Sequence, residues 1–246
     1  MVTYILESTF FEDVTVPPET TEWVLEKFTE RRLRKHQVLF SQGDPGNEMY
    51  VVKSGQLKIF REGEDKEIVF GHQFPGQTIG ELEVVHRSSE RLASVAAIED
   101  TVLWMIRKPD VDKLIDRFPQ ILRNLFYVVS ERLAQADRKL EYLAFLDARV
   151  RVANILLDLL SNFGVPSSEG QLIDWKITQQ HLGNMIGISR ESAARILIEF
   201  QQEGIILVEK RLITILNLDH LHMLAEITKD PVEKRHWHST YKHNIQ

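Results

Sequence analysis

The sequence predicts an α+β chain in three parts: an antiparallel β barrel or sandwich, a long helix, and a C-terminal winged helix-turn-helix. Three observations predict it. Between Gln37 and Ile106, short runs rich in valine, isoleucine and aromatics alternate with turns, and seven of the twelve glycines lie between Gly43 and Gly80. Leu122, Leu125, Val129, Leu133, Ala136, Leu140 and Leu143 then recur every three or four residues. Thr178 to Gly204 holds two amphipathic runs joined at Gly187, followed by two β-branched runs around a charged turn.

Taking the chain in order, Pro17-Pro18-Glu19-Thr20 reads as a turn opening a short helix from Thr21 to Glu30. The basic run Arg31 to His36 reads as a solvated face leading into strand territory. The strand candidates are VLF, MYVVKSG, QLKIF, EIVFG, SVAAI and VLWMI, with Gly43-Asp44-Pro45-Gly46 as one of the turns between them. Many short strands with closely spaced turn signals indicate an antiparallel barrel or sandwich. One interruption is informative: Gly76 to Leu82 (GQTIGEL) is followed by the polar stretch His86 to Arg91 before a strand resumes at Ser94. A strand, a glycine turn, a short helical piece with free amides and an arginine make a plausible anion cradle.

Lys108 to Arg123 reads as helix, with Pro119 starting a new one that runs to Asp147. Its leucine stripe is close to a heptad seam. Packing on the β part and a dimer contact both fit such a stripe. Leu143 to Arg151 reads as a hinge, Ala153 to Phe163 as an amphipathic helix, Gly164 to Gly170 as a loop, and Leu172 to Trp175 as a strand.

In the C-terminal motif, Leu182, Met185 and Ile186 share one helical face. Gly187 supplies a tight turn and Ser189 suits the N-cap of the next helix. That helix carries Ala193, Ile196, Leu197 and Phe200 as its apolar stripe, with Arg190, Glu191 and Arg195 opposite and Gly204 as the stop. An ordinary helical hairpin would show much of this pattern. The hairpin that follows, Ile205 to Val208 and Leu212 to Leu216 around Glu209-Lys210-Arg211, turns the balance to a winged helix-turn-helix. In such a motif the start of the second helix meets base edges in the major groove, and Lys210 and Arg211 could meet phosphates.

At 246 residues and 28.6 kDa the chain has room for two domains. No run is long enough to span a bilayer, and Met1 to Phe11 lacks a basic segment followed by an apolar one, so a cytoplasmic protein without a membrane partner is expected. The absence of cysteine excludes disulfides, thiolate switches and iron–sulfur clusters. No nucleophile–base constellation, zinc spacing or P-loop points to an enzyme, and no metal site is expected at His236-Trp237-His238 in the tail or elsewhere. A net charge of −6 argues against nucleic-acid binding. Between Lys176 and Ile215 five basic residues nearly cancel four acidic ones. Binding strength follows the phosphates neutralised at the contact face, and a dimer presents that face twice.

From Val38 to Leu216 the chain resembles the cyclic-AMP receptor and fumarate-nitrate regulator (Crp/Fnr) superfamily of bacterial transcription factors. VLFSQGDPGNEMYVVKSGQLKIF, GQTIGELEVVHRSSERLASV and SRESAARIL carry the resemblance, in the family's order and spacing. It implies a β-roll sensor over residues 1–117, a dimerisation helix and hinge over 118–147, and a DNA-binding winged helix-turn-helix over 148–246. The expected DNA contacts are Thr178, Gln179, Ser189, Arg190, Glu191, Arg195, Lys210 and Arg211. The seven stripe residues above would join two chains, so that a homodimer reads a pseudo-palindrome in double-stranded DNA, meeting RNA polymerase if it activates.

The resemblance also places an effector at Gly80, Glu81, Leu82, Arg91, Leu92 and Ala93, with Ala136 and Asp137 reaching in from the long helix. The carboxylate of Glu81 would hold a ribose hydroxyl and Arg91 the cyclic phosphate. Leu92 stands where cyclic-AMP-binding members usually carry a small residue, and Ala136 and Asp137 stand where hydroxyl residues read adenine. Cyclic AMP, another small anionic effector and no effector at all therefore remain open. In the last case the cassette would be held shut by a Glu81–Arg91 salt bridge.

Overall fold

The computed structural model describes residues 5–64, 66–85 and 90–225. Contacts divide them into two compact units, one of residues 5–63 and 70–133, the other of 64, 66–69 and 134–225.

The first unit opens with a 3-10 turn, Thr9–Phe11, and helix α1, Pro18–Leu25. Pro18 at the first helical position gives up an N–H that would have had no intrahelical acceptor. The helix stops at Leu25 rather than Glu30, because the chain from Thr29 joins a sheet. Strand β1, Thr29–Leu33, pairs antiparallel with β8, Thr101–Arg107. Half of the basic run is thus an edge strand, where charged side chains discourage further pairing.

Between them come β2 (Val38–Phe40), β3 (Glu48–Ser54), β4 (Leu57–Glu62), β5 (Glu67–Gln73), β6 (Thr78–Ile79), the short helix α2 (Glu81–Val85) and β7 (Ser94–Ala97). They form two four-stranded sheets in the orders β1-β8-β3-β6 and β2-β7-β4-β5, the expected antiparallel architecture. Strand β3 shows how the core divides. Tyr50 and Val52 point into a cluster with Leu57, Ile79, Val95 and Leu103. Met49 and Val51, on the opposite face of the pleat, pack with Phe10, Phe11, Phe28 and Ile106.

Two helices complete that second cluster. Helix α3, Lys108–Arg117, contributes Val111 and Leu114, and α4, Gln120–Phe145, contributes Ile121 and Leu125. Buried Asn124 donates to the carbonyls of Phe10 (3.2 Å) and Glu12 (2.7 Å), fixing α4 to the N-terminal turn. Leu125 therefore belongs to the core of its own chain and leaves the expected seam. Phe126, 72% exposed, takes its place. The row becomes Leu122, Phe126, Val129, Leu133, Ala136, Leu140 and Leu143, in strict steps of four and three, all exposed except the half-buried Val129. Helix α4 ends at Phe145; Asp147 lies outside it and caps α5, Ala148–Phe163, accepting from the amides of Arg149 and Val150.

The second unit is built around α5. Strands β9 (Gly164–Pro166) and β10 (Gln171–Ile173) lead to α6 (Gln179–Ile186) and α7 (Arg190–Gln202), then β11 (Ile206–Glu209), β12 (Leu212–Ile215) and α8 (Leu218–Leu224). The strands make one antiparallel sheet, β11-β12-β10-β9. Leu156, Leu182, Ile196, Phe200, Ile213 and Leu221 are buried in this unit. Asn154, fully buried on α5, donates to the carbonyls of Val150 and Ala225 at 3.0 Å, tying the end of α8 down. The histidine-bearing tail beyond residue 225 lies outside the described residues.

Candidate functional site

The helix-turn-helix is assembled by local devices. Thr178 caps α6, its side chain accepting from the His181 amide, and Ser189 caps α7 by accepting from the Ser192 amide. Gly187 adopts φ 71°, the left-handed turn between the helices. A second glycine sets their approach: a Cβ on Gly183 would stand 2.7 Å from the Ile188 carbonyl, and the Gly183 carbonyl accepts from the Ile188 amide at 3.0 Å. Leu182, Met185 and Ile186 of α6 and Ala193, Ile196, Leu197 and Phe200 of α7 are all buried.

Burying those faces turns the others outward. Arg190, Glu191 and Arg195 are exposed on the first two turns of α7, and Thr178 and Gln179 are exposed at the start of α6. Arg195 bonds Glu199 at 3.2 Å, one turn along, but stays 68% exposed and can change partner. Glu191 is held below the usual carboxylate range by its own backbone amide at the helix start and by the Ser189 hydroxyl. It remains an acceptor at neutral pH.

Strands β11 and β12 form the expected hairpin, with Glu209 opposite Leu212 and only Lys210 and Arg211 between them. Both turn residues have positive φ, 48° and 70°. Asparagine and glycine usually fill such a turn, so two cations there hold a strained backbone. A cleft of about 410 Å³ runs between this wing and the two helices. Thr178, Gln179, Arg190 and Arg211 line it together. Among the expected residues, Ser189 serves the helix start, and Lys210 is exposed at the hairpin tip.

The cassette of the first unit is organised differently. Gly80 has φ 81°, turning β6 into α2. Glu81 and Glu83 are both buried on α2. Two residues apart on a helix, they point to nearly opposite sides. Glu81 pairs with Arg132 of α4 at 2.6 Å, and Arg132 also donates to the Thr78 carbonyl at 2.9 Å. Burial pushes the Glu81 carboxyl upward, and the Arg132 charge opposes that shift. Glu83 pairs with Arg91, whose side chain is wholly buried, at 3.1 Å. The Glu81–Arg91 bridge considered from the sequence is thus replaced by two separate pairs.

Arg91 has further partners. Its Nη2 donates to the Glu48 carbonyl at 2.8 Å, and its guanidinium carbon lies 4.0 Å from the centre of the Phe40 ring. The Leu92 amide donates to Glu83, while the Leu92 side chain is 49% exposed. Leu82 and Ala93 are half-buried beside these groups. Ala136 and Asp137 are exposed on the part of α4 that belongs to the second unit. Sequence reasoning missed Glu48, Glu83 and Arg132, since no local pattern distinguishes them from solvated charges.

Residues 30–118 match the Cyclic nucleotide-binding domain family and residues 150–224 the Crp-like helix-turn-helix domain family. The chain is 34% identical to the Cyclic AMP receptor protein of Thermus thermophilus, over 77% of this chain and 84% of that one. The chain belongs to the Crp/Fnr family of transcription regulators. It is also 29% identical to the CRP-like cAMP-activated global transcriptional regulator of Mycobacterium tuberculosis, over 76% of this chain and 84% of the other. Among solved structures, it resembles the c-di-GMP responsive global regulator CLP of Xanthomonas campestris, with a TM-score of 0.72 at 27% identity, covering 82% of this chain and 100% of that one. As a Crp/Fnr member it is a DNA-binding helix-turn-helix transcription regulator with a cyclic-nucleotide-binding domain, and not an enzyme. Among the described residues no helix is long and apolar enough to cross a membrane.

Proposed function

We propose that this Crp/Fnr regulator works in the cytoplasm as a homodimer, reading a pseudo-palindromic DNA site with α7 and clasping the backbone with its wing. The observation that carries the reading is the shared cleft, where Arg190 of α7, Thr178 and Gln179 of α6 and Arg211 of the wing meet at one solvent-facing surface. Arg190, Glu191 and Arg195 read base edges; Thr178, Gln179, Ser189, Lys210 and Arg211 hold the backbone. Arginine pairs best with guanine and glutamate accepts from cytosine, so each half-site should contain G·C pairs. The exposed row from Leu122 to Leu143 joins the two chains, with Phe126 in the position first given to Leu125. On this reading residues 1–117 sense, 118–147 dimerise and 148–246 bind DNA, with RNA polymerase as a further partner at promoters that the protein activates.

Control is assigned to the cassette Gly80, Glu81, Leu82, Arg91, Leu92 and Ala93, with Ala136 and Asp137 of α4 as the further expected contacts. The Mycobacterium tuberculosis relative is described as cAMP-activated, which supports a small anionic effector there. One observation favours the other reading, a sensor that works without such a ligand: Glu81 and Arg91 both already have oppositely charged partners in the chain. Selection of bound sequences from random duplexes tests the DNA reading. Two inverted half-sites about one helical turn apart are expected. Recovery of unrelated sequences by a folded dimer would reject it.

A further inference from the structure

A bound oxyanion in an anion cradle accepts from a guanidinium and from a backbone amide beside it. In this chain one carboxylate already does both. One oxygen of Glu83 accepts from Nη1 of Arg91 at 3.1 Å, and the other accepts from the Leu92 amide at 3.2 Å. Glu83 is 5% exposed and the Arg91 side chain is buried, so water does not compete for these bonds.

The surroundings are built for that guanidinium in that place. Phe40 lies under it, and two glycines leave it room: a Cβ on Gly46 would come within 2.7 Å of Arg91 and one on Gly80 within 2.6 Å. Glu48 supplies a second carboxylate at 3.6 Å. Yet the Arg91 Nε has no hydrogen-bond acceptor among the described residues. A carboxylate tethered to α2 fills the anion's position without using every donor that the cradle offers.

We propose that Glu83 is the chain's own occupant of the anion cradle and thereby the residue that selects against phosphate-bearing effectors. A cyclic nucleotide entering the cassette would bring its negative phosphate against two carboxylates, the buried Glu83 and the partly exposed Glu48. It must first separate Glu83 from Arg91. Like charge and the broken ion pair both oppose it, so the filled cradle is the resting condition of the sensor. The inference rests on the cassette being the control site of the proposed regulator, and it names the side chain that decides what the site accepts.

Titration calorimetry on the full-length protein tests it, with cyclic AMP in one series and inorganic phosphate in another. The unsubstituted chain should show no saturable heat with either probe up to millimolar concentration. Glu83→Ala should bind cyclic AMP at least tenfold more tightly than the unsubstituted chain, and Glu83→Gln, which keeps the shape but loses the charge, should gain less. Added Arg91→Ala should abolish the gain. Uptake of phosphate as tight as that of cyclic AMP would identify a simple oxyanion site, still vacated by removing Glu83. Thermal unfolding verifies that each variant is folded, and Glu83→Gln serves if the alanine variant is not. Equal cyclic AMP affinity with and without Glu83, no gain in any folded variant, or a gain indifferent to Arg91 would each overturn the proposal. Binding of the same variants to the selected DNA site is measured in parallel, so failure of the ligand inference leaves the DNA reading separately tested.

Discussion

Arginine and glutamate stand close together both on α7 and in the cassette, but in opposite circumstances. On α7, Arg190, Glu191 and Arg195 face solvent, and Arg195 makes an exposed ion pair with Glu199. In the cassette, Arg91, Glu81 and Glu83 are buried and have their counter-charges inside the chain. Exposed charges are inexpensive to keep unsatisfied and can exchange water or a neighbour for a base or phosphate. Buried charges are held by mutual compensation, so the same residue types there stabilise a geometry before they recognise anything. A chain of net charge −6 thus still leaves Arg190, Arg195, Lys210 and Arg211 exposed, and binding strength follows the charge at the contact face rather than the total.

The largest effect should come from charging the α4 row that the proposed homodimer would bury. Leu133→Glu or Leu140→Glu would bury an unpaired charge in each subunit, weakening the dimer about a thousandfold or more. Sedimentation should show monomers, and binding to a two-half-site duplex should collapse with it. Leu125→Ala, in contrast, should destabilise the first unit by about 2–5 kcal/mol without acting on the dimer surface directly. Dimers that persist in both glutamate variants would move the subunit interface away from α4.

Arginine substitutions compare the two regions directly. Arg91→Ala strands the buried Glu83 carboxylate and should cost about 3–5 kcal/mol of stability, read as a lowered denaturation midpoint. Arg195→Ala should change stability by no more than about 0.5 kcal/mol. It should instead remove about 1–3 kcal/mol of discrimination at a single base pair. Unchanged sequence preference in alanine variants of Arg190, Glu191 and Arg195 alike would remove the base-reading assignment.

The smallest effect belongs to the wing. Replacing Lys210 by asparagine and Arg211 by glycine relaxes two positive-φ residues and should stabilise the second unit by up to about 1 kcal/mol. The same pair should weaken all DNA sequences alike and lower the salt slope by about one for each phosphate no longer neutralised. A steeper slope, or a weakening confined to one sequence, would show that the turn does something other than hold the backbone.

What the sequence disclosed depended on the range of the interaction. Gly187, the Ser189 cap and the buried spacing of α6 and α7 are local, and each stood in the sequence as it stands in the fold. The Thr178 cap went unread, and the wing's turn, expected over Glu209 to Arg211, narrows to Lys210 and Arg211 because Glu209 pairs with Leu212. Burial at α4 was harder: Leu125 and Phe126 are adjacent and apolar, and only packing against Val111 and Leu114 decides which turns inward. Strand β1 was hidden because its side chains are mostly charged, as an edge permits. The cassette's pairing was least legible. Arg132 meets Glu81 from 51 residues away, and Glu83 differs from Glu81 only by which side of a five-residue helix it occupies.

The most direct test is the affinity of the purified protein for its selected pseudo-palindrome, measured at one fixed salt concentration with and without cyclic AMP. With the cradle already occupied by Glu83, specific binding should be present in the absence of nucleotide and unchanged by millimolar cyclic AMP. Specific binding that appears only with cyclic AMP, or tightens tenfold or more on adding it, would contradict the account.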